Sequence, residues 1–132
     1  MRVMLDTNVL VSLLLFPNER MNAMMERIFS EHELILSSFV VSELKDVVRR
    51  KFPAKARVVD RLLSKMSYSL VYTPDEMDEA VFDIRDTKDY PVLYTAIIED
   101  VDIFVTGDKD FADIEIEKPV ILTPADFMAQ YL

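Results

Sequence analysis

Val101-Asp102-Ile103-Phe104-Val105-Thr106-Gly107-Asp108 is an apolar run that stops on an aspartate, with the chain's only glycine just before the stop. Val3-Met4-Leu5-Asp6, far earlier in the chain, ends in the same way. Near-continuous apolar stretches of this length read as strands buried on both faces of a parallel sheet. Open α/β sheets receive their ligands beyond the carboxyl ends of such strands. Two strand-end carboxylates from distant parts of the chain therefore point to one acidic site.

Working outward, strand and helix signals alternate. Arg2–Asp6 reads as a buried strand, and Thr7 or Asn8 can cap a helix to Leu15. Asn18 can cap a second helix to Phe29, with Met21, Met24, Met25, Ile28 and Phe29 on its apolar side. Leu34–Leu36 is a short strand, after which Ser37 or Ser38 caps a helix to Lys51. Pro53 suits the first turn of a helix to Met66, and Ser69–Tyr72 is the third strand. Pro74-Asp75-Glu76 predicts an acidic helix to Arg85, its acids placed where the helix dipole favours them. A helix over Lys88–Glu99, a strand over Ile103–Thr106, a fifth strand at Val120–Leu122 and a last helix from Thr123-Pro124 complete the order. Such alternation implies βαβ units, a mostly parallel sheet of four or five strands and helices on both faces.

The 132 residues suffice for one domain, 1–132, with its own core. With no cysteine, disulfides and thiolate metal sites are excluded and a cytoplasmic location is the default expectation. The apolar run Val9–Phe16 is too short to span a bilayer and has no small-residue cleavage site behind it, so it is read as a buried helix, with no membrane partner. The net charge of −9 argues against a general DNA coat or an anionic-membrane binder. That average hides a basic stretch from Lys45 to Lys65, with eight basic residues against two acidic ones and a charge of +6, which leaves −15 for the rest.

Two further acids occupy positions a carboxylate should avoid. Glu43 lies along the stripe of Val40, Leu44, Val47 and Val48, and Asp89 heads the stripe of Leu93, Ala96 and Ile97. Burying an ionised carboxylate costs several kcal/mol unless it is compensated, and clustered carboxylates raise one another's pKa. A divalent cation removes the conflict. Oxygen ligands without histidine or cysteine suit Mg²⁺ or Mn²⁺ rather than zinc. Arg85-Asp86-Thr87-Lys88-Asp89 and Asp108-Lys109-Asp110 each offer two candidate ligands, and Asp6, Asp89 and Asp108 could equally be helix caps.

Leu5-Asp6-Thr7-Asn8-Val9-Leu10, Val41-Ser42-Glu43-Leu44, Asp89-Tyr90-Pro91-Val92-Leu93-Tyr94-Thr95-Ala96 and Thr106-Gly107-Asp108-Lys109-Asp110-Phe111 resemble, in order, the four motifs of PIN domains. The approach to Asp89 and the Thr-Gly-Asp-Lys-Asp ending are most similar to the VapC-like toxins of toxin–antitoxin pairs. The resemblance implies a three-layer α/β/α sandwich and an Mg²⁺- or Mn²⁺-dependent endoribonuclease. It implies a catalytic, metal-holding quartet of Asp6, Glu43, Asp89 and Asp108, supported by Asn8, Thr106 and Asp110. It also implies a cognate antitoxin.

The basic stretch could guide RNA phosphates through Arg49, Arg50, Lys51, Arg57 and Arg61, or could be a solvated helix pair complementing its own dipoles. His32, the only histidine, sits in the polar turn 30–33 and is expected to be exposed and non-catalytic. Met21, Met24 and Met25, or Phe127, Met128, Tyr131 and Leu132, could serve a homodimer, though core packing is the simpler expectation. Two rival readings remain. A haloacid-dehalogenase-like phosphatase would use Asp6 as nucleophile but needs an acid two residues later, where Asn8 stands. A non-catalytic interaction module would bind a partner through the same acidic surface.

Overall fold

The computed structural model describes residues 1–131. Its centre is a five-stranded, wholly parallel sheet in the order β3-β2-β1-β4-β5. The strands are β1 (Arg2–Leu5), β2 (Glu33–Ser37), β3 (Ser69–Val71), β4 (Ile103–Val105) and β5 (Val120–Leu122). The helices are α1 (Thr7–Leu15), α2 (Glu19–Glu31), α3 (Ser38–Lys51), α4 (Ala56–Lys65), α5 (Tyr90–Ile98) and α6 (Pro124–Tyr131). They cover the sheet as an α/β/α sandwich. The apolar runs are buried as parallel strands require: Val3, Met4, Leu5, Phe104 and Val105 are fully enclosed.

The strand order sets the site. From β1 the chain builds outward through β2 to β3, then crosses back to β4 on the other side of β1. The β1–β4 seam is thus the topological switch point, where the connections leave in opposite directions and open a crevice at the strands' carboxyl ends. Met4 pairs with Phe104 and Leu5 with Val105, so the residues that follow, Asp6 and Thr106, emerge side by side.

The helix starts follow local capping chemistry. Asn18 Oδ1 accepts from the Met21 amide, and Ser37 Oγ accepts from the Val40 amide. Pro53 opens a 3-10 turn, Pro53–Lys55, before α4, rather than the α-helix itself. The cap of α1 is Asp6, not Thr7 or Asn8.

Two expectations are corrected. The acidic helix over residues 74–85 does not form, and the segment is irregular. Asp75, Glu79 and Asp83 would stand at successive i,i+4 positions with no base among them, and like charges at that spacing destabilise a helix. The segment is instead pinned to α5, whose Tyr94 hydroxyl accepts from the Asp78 amide at 3.3 Å and whose Tyr90 hydroxyl donates to the Asp78 carbonyl. His32 is not exposed: its ring lies half-buried, edge-on to both Phe127 and Tyr131. Burial and the nearby Met1 ammonium hold its pKa below the usual value. As the simpler expectation had it, Met24, Met25 and Phe127 are core residues, and Met21, Met128 and Tyr131 are partly buried against the core. Leu132 lies outside the described residues.

Candidate active site

The crevice at the switch point is lined from four directions. Asp6 follows β1, Glu43 lies in the second turn of α3, Asp89 stands at the N-cap of α5, and Asp108 follows β4. Asp6 is buried and doubly held. Its Oδ1 accepts from the Thr7 amide at 2.8 Å and its Oδ2 from the Thr106 hydroxyl at 2.7 Å. The same Thr106 oxygen accepts from the Asp108 amide at 3.0 Å. One buried hydroxyl thereby ties the two strand-end aspartates together.

Carboxylate oxygens of Asp89, Asp108 and Asp110 all lie within 4.8 Å of one another. Asp6 borders this trio, and Glu43 lies on its other side, its Oε1 accepting from the Thr7 hydroxyl. The sequence quartet is therefore gathered at one end of the sheet. The tightest group within it, however, includes Asp110 and leaves Asp6 and Glu43 flanking. One of the two ambiguous pairs separates on local geometry, and the other, Asp108 and Asp110, is in the trio together. Asp86 is spent as a cap, its Oδ1 accepting from the Lys88 amide, whereas Asp89 makes no side-chain cap. Asp108 does both things, accepting from the Asp110 amide at 2.9 Å while facing Asp89.

Among the supporting residues, Thr106 is buried at the centre and Asp110 is in the trio, but Asn8 is exposed on α1. Thr7 escaped the sequence reading as anything but a cap, yet it orients Glu43. The available signal was a polar residue directly behind a strand-end acid. Gly107 is not in the left-handed region, and a Cβ there would meet open space, so the turn to Asp108 does not demand glycine. Arg49, Arg50 and Lys51 lie at the other end of α3. At 1.5 Å per residue they are roughly 10 Å along the axis beyond Glu43.

The electrostatics are those of uncompensated charge. None of Asp6, Glu43, Asp89, Asp108 or Asp110 forms an ion pair among the described residues. Burial pushes the Asp6 carboxyl above the usual range. The Thr106 and Thr7 hydrogen bonds pull it back, and the charges of Glu43 and Asp108 add to the rise. Asp89 is pushed up to about 7, by burial first, then by the charges of Asp108 and Asp86, a proton shared with Asp108, and the charge of Asp6. This all-oxygen set, short of positive charge, fits a hard divalent cation.

The raised pKa values have a signed consequence. A carboxyl raised in the folded state holds its proton there where the unfolded chain has lost it, so stability falls as pH rises. For Asp89 the window runs from the unfolded value of 3.8 up to about 7, and Asp6, raised above the same 3.8, acts with the same sign. Asp102 has the opposite sign. The Arg2 amide, then Lys118, hold its carboxyl below the ordinary 3.8, so its stabilisation is lost only in stronger acid. Metal-free protein should thus melt higher at pH 5 than at pH 7.5. Mn²⁺ should raise the melting temperature more at pH 7.5, where the carboxylates are free of protons. Scanning calorimetry with and without EDTA measures both, and a flat metal-free profile would contradict the assignment of these shifts.

An all-parallel α/β/α sandwich with carboxylates gathered at its switch point defines the class: an α/β domain with an acidic centre. The sequence model of the PIN domain matches residues 2–110, and the chain belongs to the PIN domain family. PIN domains are, as a family, nucleases. A chain of the crystal structure of VapBC2 from Rickettsia felis bound to a DNA fragment from their promoter shares the fold. Its TM-score is 0.71 at 22% identity, over 92% of this chain and 97% of that one. No curated protein matches the sequence. No helix among the described residues is long and apolar enough to cross a membrane.

Proposed function

We propose that the chain is a metal-dependent endoribonuclease and the toxin of a toxin–antitoxin pair. The observation that carries this is the convergence of Asp89, Asp108 and Asp110 within 4.8 Å, beside the buried Asp6, in a PIN domain whose site carboxylates form no ion pair among the described residues. The likeness to a VapBC2 complex supports the pairing with an antitoxin.

Asp6, Glu43, Asp89 and Asp108 would hold Mg²⁺ or Mn²⁺, with Asp110 beside them. When bound, such an ion supplies Lewis-acid chemistry, polarising a phosphodiester oxygen and making water a better nucleophile. The chain's own part is preorganisation. Thr106 fixes the rotamer of Asp6 and the approach of Asp108, and Thr7 fixes Glu43. The Asp110 amide anchors the Asp108 carboxylate. Held this way before substrate arrives, the carboxylates need little reorganisation during reaction. Water displaces the 3′-oxygen in line, leaving 5′-phosphate and 3′-hydroxyl ends. A phosphatase using Asp6 as nucleophile is disfavoured, because the position two residues on is the exposed Asn8.

The test is cleavage of a labelled single-stranded RNA. Product should appear with Mn²⁺ or Mg²⁺, carry a 5′-phosphate and vanish with excess EDTA. EDTA-resistant cleavage would remove the metal from the reading, and turnover of p-nitrophenyl phosphate without RNA cleavage would replace it with the phosphatase.

A further inference from the structure

An acidic centre that cuts a polyanion needs a cation close by. Arg49 to Lys51 of the basic stretch are not close: they lie at the end of α3 remote from Glu43. Arg85 sits differently. It lines a cavity of about 180 Å³ with Asp83, Ile84, Asp110, Asp113 and Ile114. Asp110 belongs to the carboxylate trio, so this cavity adjoins the candidate centre through that residue. Lys45 and Arg49 also line a cavity, between α3 and α4, but it contains none of the trio.

Arg85 is also uncommitted. Three carboxylates line its cavity, yet it forms no ion pair with any described residue, and its side chain is exposed. Its backbone is fixed on both sides. Upstream, the segment is pinned to α5 by Tyr90 and Tyr94. Downstream, the Asp86 cap starts the 3-10 turn Thr87–Asp89 that presents Asp89. A guanidinium so placed can fork onto two phosphate oxygens, and Arg is preferred over Lys where such planar contact matters.

We infer that Arg85 is a substrate-binding residue that grips the RNA phosphate neighbouring the scissile one, from the cavity it shares with Asp110. This rests on the ribonuclease reading above. It assigns the guiding role to Arg85 rather than to Arg49, Arg50 and Lys51. A second cavity of about 440 Å³ shares Asp83 and Ile84 with it, but is also lined by Asp75 and Glu79, so its acidic wall does not favour a phosphate chain.

The experiment uses the full chain with Mn²⁺ and a fluorescein-labelled single-stranded RNA, measuring binding against salt, KM and kcat, and Mn²⁺ affinity by calorimetry. Arg85→Gln should raise KM about tenfold with kcat within about threefold. It should flatten the slope of log Kd against log salt by about 0.7, the contribution of one single-strand phosphate. Arg85→Lys should restore the slope but only part of the KM. Lys88→Gln and Lys109→Gln, in the flanking turns but outside this cavity, should leave the KM within about twofold. An unchanged slope and KM in Arg85→Gln would overturn the assignment while leaving ribonuclease activity intact. So would a shifted Mn²⁺ affinity with an unchanged slope, since Arg85 would then merely balance the carboxylates. A wild-type chain that neither binds nor cuts RNA would overturn both readings.

Discussion

Asp6→Asn is expected to lower RNA cleavage about a hundred- to a thousandfold, the scale on which a preorganised electrostatic group contributes to a transition state, without unfolding the protein. The side chain keeps its shape, and an amide oxygen can still accept from the Thr7 amide, whose contact with Asp6 is 2.8 Å. The amide nitrogen then faces Thr106, whose hydroxyl oxygen also takes the Asp108 amide and has a second lone pair to offer. The charge is what disappears, and in the metal-free fold that charge is unfavourable, since burial already raises the Asp6 pKa. Metal-free Asp6→Asn should therefore melt at or above the wild-type temperature near pH 7. The rise that Mn²⁺ gives the wild type should shrink in the variant. Loss of activity with a gain in apo stability is a pairing that a merely structural cap could not produce. Removing an ordinary N-cap costs about 1 kcal/mol. If the variant cuts RNA within about tenfold of wild type, Asp6 is a cap and nothing more. If it melts well below wild type, the burial argument is wrong.

That argument also shows which parts of the molecule were legible from residues alone. β1 and β4 were readable because a parallel strand needs apolar side chains on both faces, and only short runs such as Val3–Leu5 and Ile103–Val105 supply them. Glu43 was readable because an acid on an apolar helical stripe is a contradiction that calls for a reason. Asp86 against Asp89 was not readable. Both precede a helical segment, and which one caps depends on backbone angles that the residue type does not fix. The segment 74–85 misled because its apolar positions and first-turn acids fit a helix, while the repulsion along its acidic face and the two tyrosine hydroxyls from α5 decide otherwise. His32 misled for a related reason. Its neighbours in sequence are polar, but its neighbours in space are Phe127 and Tyr131 from the last helix. Arg85 could not be singled out before the fold showed which cation shares a cavity with Asp110. For His32 and Arg85, and in part for segment 74–85, the deciding contact comes from another element.

Phe111→Ala should be the most destabilising change near the site, and it should weaken metal binding through a residue that touches no metal. Phe111 is 1% exposed and meets Phe104 of β4 edge-on, with ring centroids 5.2 Å apart. Deleting a buried Phe costs about 3–5 kcal/mol, a large share of the roughly 5–15 kcal/mol that holds a domain folded. For a chain of this size that is a fall of roughly 10–20 °C in melting temperature. Phe111 ends the 3-10 turn Lys109–Phe111 that also carries Asp110, and its amide donates to the Asp108 carbonyl at 3.3 Å. The ring is thus the peg by which two of the three clustered carboxylates are fastened to the sheet. Measured well below its own melting temperature, the variant should bind Mn²⁺ at least about tenfold more weakly, an effect of about 1.4 kcal/mol. Phe111→Leu, which refills much of the cavity, should recover most of both losses. Tyr72→Ala, at a side chain on a residue 73% exposed, should change stability by no more than about 0.5 kcal/mol. A Phe111→Ala protein that is destabilised yet binds Mn²⁺ like wild type would show that Asp108 and Asp110 are held by their own hydrogen bonds alone. The coupling from β4 to the acidic centre would then be absent.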